Sequence, residues 1–371
     1  MDFANIDFMR RLITILIIAT AFYGCSTELV QTETEQSRPQ NTTTENLIVI
    51  TLDGLRWQEV FEDADVFDRD YLSTIGNLYG NRNVGNKVNV ANPTNISYPG
   101  YHEIFTGNTT GIYGNVQYNS PHKSVIEFIN EQDGYQGRNV SLVSNNYLPI
   151  LLYRASDTVN GGMFPMFSTS GVFENGNVYV PDLATLFDSE TIENAELVYL
   201  LQKSIKEQEL LRPLISNYGT GEKTQNVELL EYVVGRNIME LLQPKAMHFY
   251  FYHTDTYGHQ WKWDDYTNAA RNVGVYIKDL VDFVNTHPQY ANNTTILITT
   301  DHGRGSSSWG AHTTNTEGAD ETWFIVISPY TNKGIVTEQK QYYNEQLAQT
   351  MANILGFTYE ADHEIAEAIE L

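Results

Sequence analysis

Three apolar stretches of the chain run into an acid. "IVITLDG" carries Asp53, "HFYFYHTDTYGH" carries Asp255 with His259 four residues later, and "TILITTDHG" carries Asp301 followed at once by His302. A further imidazole, His312, comes in "WGAHTT". Singly, each has an ordinary use: Asp-Gly after a strand is turn chemistry, an Asp and a His four apart can pair at a helix start, and a lone His is usually packed structurally. Together, three carboxylates and three imidazoles at strand ends cannot crowd into one place without a cation. Mixed oxygen and nitrogen ligation suits zinc, and the surplus of ligands suits a second ion nearby, so two divalent metal ions, Zn2+ by ligand chemistry, are expected.

The stretch "NPTNISYPGYHEIFTG" adds a hydroxyl. Helix-period apolar residues run from Pro99 to Thr106 and stop at Gly107, which puts Ser97 at a helix N-terminus. A serine there is commonly an N-cap. It can also be a nucleophile, because helix N-termini favour anions and a metal ion can hold a serine as its alkoxide at neutral pH. His102 and His122 read as packed or surface imidazoles and receive no role.

Positioning such a set requires strands that end together. Apolar runs predict parallel strands at 46–53, 139–144, 246–255, 294–303 and 323–329, with helix-period segments at 191–212, 225–243 and 268–286 between them. That alternation predicts an α/β fold, a doubly wound and mostly parallel sheet with helices on both faces. In such a sheet ligands bind beyond the carboxyl ends of the strands, where Asp53, Asp255 and Asp301 fall.

With 371 residues, 41% of them hydrophobic, the chain can bury a sizeable core. "MRRLITILIIATAFYGC" places Arg10 and Arg11 before an apolar run too short for a comfortable membrane span, which reads as a signal peptide over residues 1–24. Cys25, the single cysteine, follows a small residue as in the lipobox of bacterial lipoproteins; the alternative is a plain secretion signal. Residues 25–45 have the composition of a flexible tether, leaving 46–371 as the folded domain. Export to the periplasm or the outer-membrane or cell surface is expected, with a lipid anchor on Cys25 as the contact with membrane. The net charge of −24, without a basic cluster interleaved with aromatics, argues against nucleic-acid binding.

The ordered set "LDG", "SYPGYHEIFTG", "GIYGN", "DTYGH", "DHG" and a last His resembles the alkaline phosphatase superfamily, and is most similar to its type I phosphodiesterase/nucleotide pyrophosphatase branch, over roughly residues 46–330. The resemblance implies one metal at Asp53, Ser97, Asp301 and His302, and the other at Asp255, His259 and His312. It implies Ser97 as the nucleophile that becomes phosphoserine, and Asn115 as donor to a non-bridging oxygen of a small phosphate-ester substrate. The chain departs from the branch's Thr-Phe-Pro-Asn-His motif, with Ser97 for Thr and Gly100 for the Asn after proline. A phosphomonoesterase branch carries a Lys-x-Arg pair after a strand resembling "NVSLVS"; here the place reads "VSNNY", which favours a diester, with Arg154 and Arg304 as cations that could substitute. A sulfatase is disfavoured because Tyr101 stands where its motif requires arginine. A phosphoglycerate mutase shares the metal logic but not the export, and a metal-binding lipoprotein without catalysis would need no hydroxyl at an open sheet edge. The aromatic stretches at 257–266 and 160–173 read either as walls of a leaving-group pocket or as packing beneath a loop.

Overall fold

The computed structural model describes residues 43–371 except residue 63 and the stretches 111–113, 115–119, 137–139, 145–165, 169–172, 175–176, 179–193 and 217–226. The leader, Cys25, Asn115, Arg154 and most of the 160–173 stretch therefore lie outside the described residues.

The first strand, β1 (Asn46–Leu52), is buried along its whole length and holds the middle of a sheet that has eight strands among the described residues. The order is β12 (Gly334–Ile335), β2 (Asn77–Tyr79), β11 (Phe324–Ile327), β9 (Thr294–Thr300), β1, β8 (Ala246–Phe251), β4 (Val140–Ser144) and β5 (Met166–Ser168). A small sheet of β10 (Glu321–Thr322), β3 (Lys87–Asn89) and β13 (Gln341–Tyr343) accompanies it, and β6 (Phe173–Glu174) pairs with β7 (Asn177–Val178). The helices are α1 (Trp57–Phe61), α2 (Arg69–Ile75), α3 (Ser97–Thr106), α4 (Val125–Glu131), α5 (Asn194–Leu211), α6 (Val227–Leu242), α7 (His253–His259), α8 (Trp263–Thr286) and α9 (Gln346–Ile354).

Side chains of a strand alternate between faces, and β1 shows how this divides the core. Ile48, Ile50 and Leu52 pack with Val233 and Ile238 of α6 and with Val273, Ile277 and Leu280 of α8. Leu47 and Val49 pack with Ile104 and Phe105 of α3, Ile129 of α4 and Met351 of α9. Helices thus cover both faces, as expected from the near-continuous apolar strands.

Register decides where the polar residues emerge. Leu52 of β1 pairs in parallel with Phe251 of β8 on one side and with Thr300 of β9 on the other. These three strands end level, so Asp53 and Asp301 stand side by side one residue beyond the ladder.

Two expectations need correction. The 323–329 strand is antiparallel: β11 pairs Ile325 with Ile298 of β9 in the opposite direction, because the chain between them contains no crossover helix and returns by turns. An apolar run reads the same in either direction. Asp255 does not end a strand either. The strand β8 stops at Phe251 because the backbone N–H groups of Tyr252 and His253 donate to Glu228, and α7 then begins, with Asp255 in its first turn.

Candidate active site

The loop after β1 is shaped by what lies under it. Gly54 has φ +60, and a Cβ there would come within 3.0–3.1 Å of His302 and Arg304, so only glycine fits comfortably. Its N–H donates to Asp301 Oδ1 at 2.9 Å. Asp53 accepts from Tyr250 at Oδ2 (2.6 Å), while Thr254 donates to its backbone carbonyl (2.6 Å).

Ser97 is the first residue of α3 and its side chain does not cap the helix. Instead, Ser97 Oγ donates to Asp53 Oδ1 at 3.2 Å and lies 3.4 Å from His302 Nε2. Gly100, the departure from the motif, is what lets α3 lie so close: a Cβ there would sit 2.4 Å from the Asp301 carbonyl oxygen. An Asn in this place would collide with the strand end.

His302 is fully buried, and its Nδ1–H donates to the Gly303 carbonyl at 2.8 Å, which leaves a lone pair on Nε2. That nitrogen faces Asp53 Oδ1 at 3.5 Å and Asp301 Oδ2 at 3.4 Å. Asp301 Oδ2 is buried with no hydrogen-bond partner among the described residues. One imidazole nitrogen and two carboxylate oxygens thus converge, a donor set that fits a divalent cation.

The second cluster joins the first through His302, whose ring stacks on His312 with centroids 3.8 Å apart. His312 donates from Nδ1 to the carbonyl of Asn95 (2.9 Å), and Asn95 has the positive φ of 47 that asparagine tolerates. Its Nε2 meets His259 Nε2 at 3.0 Å and Asp255 Oδ1 at 3.4 Å, and His259 Nε2 lies 3.3 Å from Asp255 Oδ2. Asp255 and His259 share one face of α7, so the helix-start pair and the ligand pair are the same geometry.

Electrostatics agree. Burial, and then the charge of Asp255, push the Asp53 carboxyl up to about 7, against the hydrogen bond from Tyr250. Burial and the charge of Asp53 push Asp301 well above the carboxylate range. Burial holds the Tyr250 phenol protonated and His302 neutral, its pKa well below that of free imidazole. Asp255, although buried, is held well below its ordinary value by His259, His312 and Arg304. Such crowding of opposed shifts marks a functional cleft.

Nothing in the sequence marks Tyr250 as the support of Asp53; the β1–β8 register, which pairs Thr51 with Tyr250, brings it there. Arg304, considered as a phosphate ligand, is instead fully buried: Nε donates to the Gly54 carbonyl, one terminal nitrogen to the Gly310 carbonyl, and the other to Asp255. A Cβ on Gly258 would come 2.4 Å from its Cζ, which explains the glycine of "DTYGH". The 257–266 stretch divides between the two readings: Tyr257 and Tyr266 are buried, whereas Trp261 and Trp263 are exposed and meet Trp309 with centroids 5.6 and 5.2 Å apart.

The family model of type I phosphodiesterase/nucleotide pyrophosphatase matches residues 47–366. No curated protein matches the chain. Among solved structures, wild-type alkaline phosphatase PafA is similar with a TM-score of 0.58 at 10% identity, over 88% of this chain and 98% of its own. A mutant TAB5 alkaline phosphatase with Mg bound in its M3 site is similar at 0.53 and 13% identity, over 85% and 99%. The lipoteichoic acid synthase LtaP from Listeria monocytogenes is similar at 0.51 and 11% identity, over 87% and 76%. At these identities the likeness is one of fold, that of the alkaline phosphatases. The family match spans almost the whole described domain, from β1 to the segment beyond α9, and with it the chain belongs to the type I phosphodiesterase/nucleotide pyrophosphatase family of the alkaline phosphatase superfamily, a phosphoric ester hydrolase.

Proposed function

We propose that the protein is an exported, two-metal phosphodiesterase that works through phosphoserine at Ser97. The observation that carries this reading is that Ser97 Oγ meets Asp53 Oδ1 and His302 Nε2, and that the same His302 nitrogen faces the orphaned Asp301 Oδ2. Divalent ions, one held by Asp53, Ser97, Asp301 and His302 and the other by Asp255, His259 and His312, would supply the positive charge that makes the serine an alkoxide and offsets charge on the ester oxygens. Zinc suits this mixed donor set.

The chain's own residues then divide the work. Ser97 Oγ attacks phosphorus, the bond from phosphorus to the alcohol oxygen breaks, and the alcohol leaves; water then attacks phosphoserine and returns the Ser97 hydroxyl. Tyr250 fixes one Asp53 oxygen so that the other faces Ser97. The Gly303 and Asn95 carbonyls fix the tautomers of His302 and His312. Asn115, by resemblance, donates to a non-bridging oxygen.

Preference for a diester is supported by Arg304, whose guanidinium is engaged by the protein and not offered to a phosphoryl dianion. A panel of p-nitrophenyl phosphate, its bis-ester and its sulfate tests this. The bis-ester is expected to give the highest kcat/KM; a monoester preferred by tenfold or more would overturn the diester reading, and sulfate hydrolysis alone would overturn phosphoryl transfer.

The leader and Cys25 support export on a lipid anchor, with residues 25–45 as tether and 46–371 as the hydrolase domain. Among the described residues no helix is long and apolar enough to cross a membrane. Cys25→Ala is expected to move the protein from the membrane fraction to the soluble one, or to leave its signal uncleaved. Unchanged partition with normal processing would reject the anchor.

A further inference from the structure

A second group of imidazoles lies at the other end of α3. His122 Nδ1 and His363 Nδ1 each lie 2.9 Å from the same oxygen of Asp362, and one ligand atom from each of the three residues falls within 4.8 Å of the others. His363 Nε2 sits 2.8 Å from the Thr106 carbonyl, which can only accept, so Nε2 carries the hydrogen. In the neutral ring Nδ1 then presents a lone pair to a carboxylate oxygen, a repulsive contact unless a cation stands between them.

His102 lies beside this group, although it is not one of the three residues whose ligand atoms meet within 4.8 Å. It is almost wholly buried, and its Nδ1 faces the Asn108 carbonyl at 3.2 Å. Its Nε2 is therefore the bare nitrogen, and it is buried with no hydrogen-bond partner among the described residues. The ring lies 5.6 Å from that of His122, which lies 4.5 Å from that of His363. Burial lowers His102 to about 4, with His122, His363 and Asp362 among the charges it senses, so it stays neutral and able to ligate at physiological pH.

We propose that His122, Asp362 and His363 form a third divalent-metal site, with the neighbouring His102 turning its bare nitrogen to the ion as a fourth ligand, and that this site fastens the C-terminal segment to the end of the helix that carries Ser97. The two imidazoles and one carboxylate that meet, with His102 as the fourth, would make a closed set of the kind that zinc occupies in structural sites. Two of the imidazoles have their second nitrogen turned to a backbone carbonyl, the support that metal-binding histidines ordinarily have. The segment after α9, from Leu355 to Leu371, contains neither helix nor strand, so a metal tie there replaces fixation that regular structure would give. The site shares no residue with the clusters around Asp53 and Asp255, and does not depend on how many ions those hold.

The test is a metal count by elemental analysis after chelated protein is reloaded with Zn2+ and dialysed, for the wild type, His363→Gln and His122→Gln. Each variant is expected to hold one equivalent fewer than the wild type. The His122 side chain is a quarter exposed, so His122→Gln decides the matter if His363→Gln does not fold. Equal metal content in wild type and folded variants would overturn the proposal and leave a protonated His363 as what binds Asp362.

Discussion

Ser97→Ala is expected to lower kcat by on the order of 10⁴- to 10⁶-fold, the loss that follows removal of an attacking oxygen when the rest of the site survives. The fold should survive. Ser97 does not cap α3, and its Oγ makes one hydrogen bond, to Asp53, so the stability cost is about 1 kcal/mol. The methyl group adds no bulk against Gly100 and Asp301, where the fit is tightest. Asn115→Ala, with one donor removed and the nucleophile retained, is expected to lose about 10²-fold. The measurement is kcat on the bis-ester, with metal content and thermal unfolding recorded beside it. A folded, metal-loaded Ser97→Ala enzyme with near-normal turnover would reject covalent catalysis and leave direct attack by water as the mechanism.

The two acids that flank each other were the most legible part of the site, for a physical reason. A buried parallel strand is an uninterrupted apolar run, so its end shows in the sequence as the first acid, and "ITLDG" and "ITTDHG" each show it. Pairing of Leu52 with Thr300 then brings Asp53 and Asp301 together without further information. Asp255 was legible as a residue but not as a position: Glu228 takes the backbone donors of Tyr252 and His253, and that contact, made from α6, ends the strand early. The direction of β11 was hidden because apolar composition carries no polarity along the chain. Arg304 and Gly258 illustrate the other kind of loss. A buried guanidinium threaded between two loops and the first turn of α7 looks in sequence like any arginine, and its contact with Gly258 explains the glycine there. His102 and His122 read as ordinary imidazoles because their partner, His363, lies more than two hundred residues away, on a segment without periodicity of its own.

Chelation is expected to abolish hydrolysis and to lower the thermal midpoint by roughly 10 °C, with both restored by Zn2+. An ion present at about a thousand times its Kd stabilises the folded state by roughly 4 kcal/mol, and each kcal/mol moves the midpoint of a large domain by about 2–4 °C. The sign of the accompanying pH effect follows from the protons the empty ligands hold. Asp53 is raised from 3.8 to about 7, Asp301 is raised in the same direction, and His259 is raised above 6.5 by its bond to Asp255. Asp53 and His259 carry protons at pH 6 that metal binding must expel, and the upward shift of Asp301 acts in the same direction, whereas His302 is already neutral and releases none. Metal affinity should therefore rise with pH through about 7, on the order of tenfold per pH unit for each proton released. Calorimetric titration of the chelated protein with Zn2+ at pH 6, in two buffers of different ionisation enthalpy, counts those protons directly. Release of at least one proton per protein is the expected result. Hydrolysis that persists in rigorously metal-free protein, or binding accompanied by proton uptake, would show that the acids around Ser97 do not hold the ions that drive the reaction.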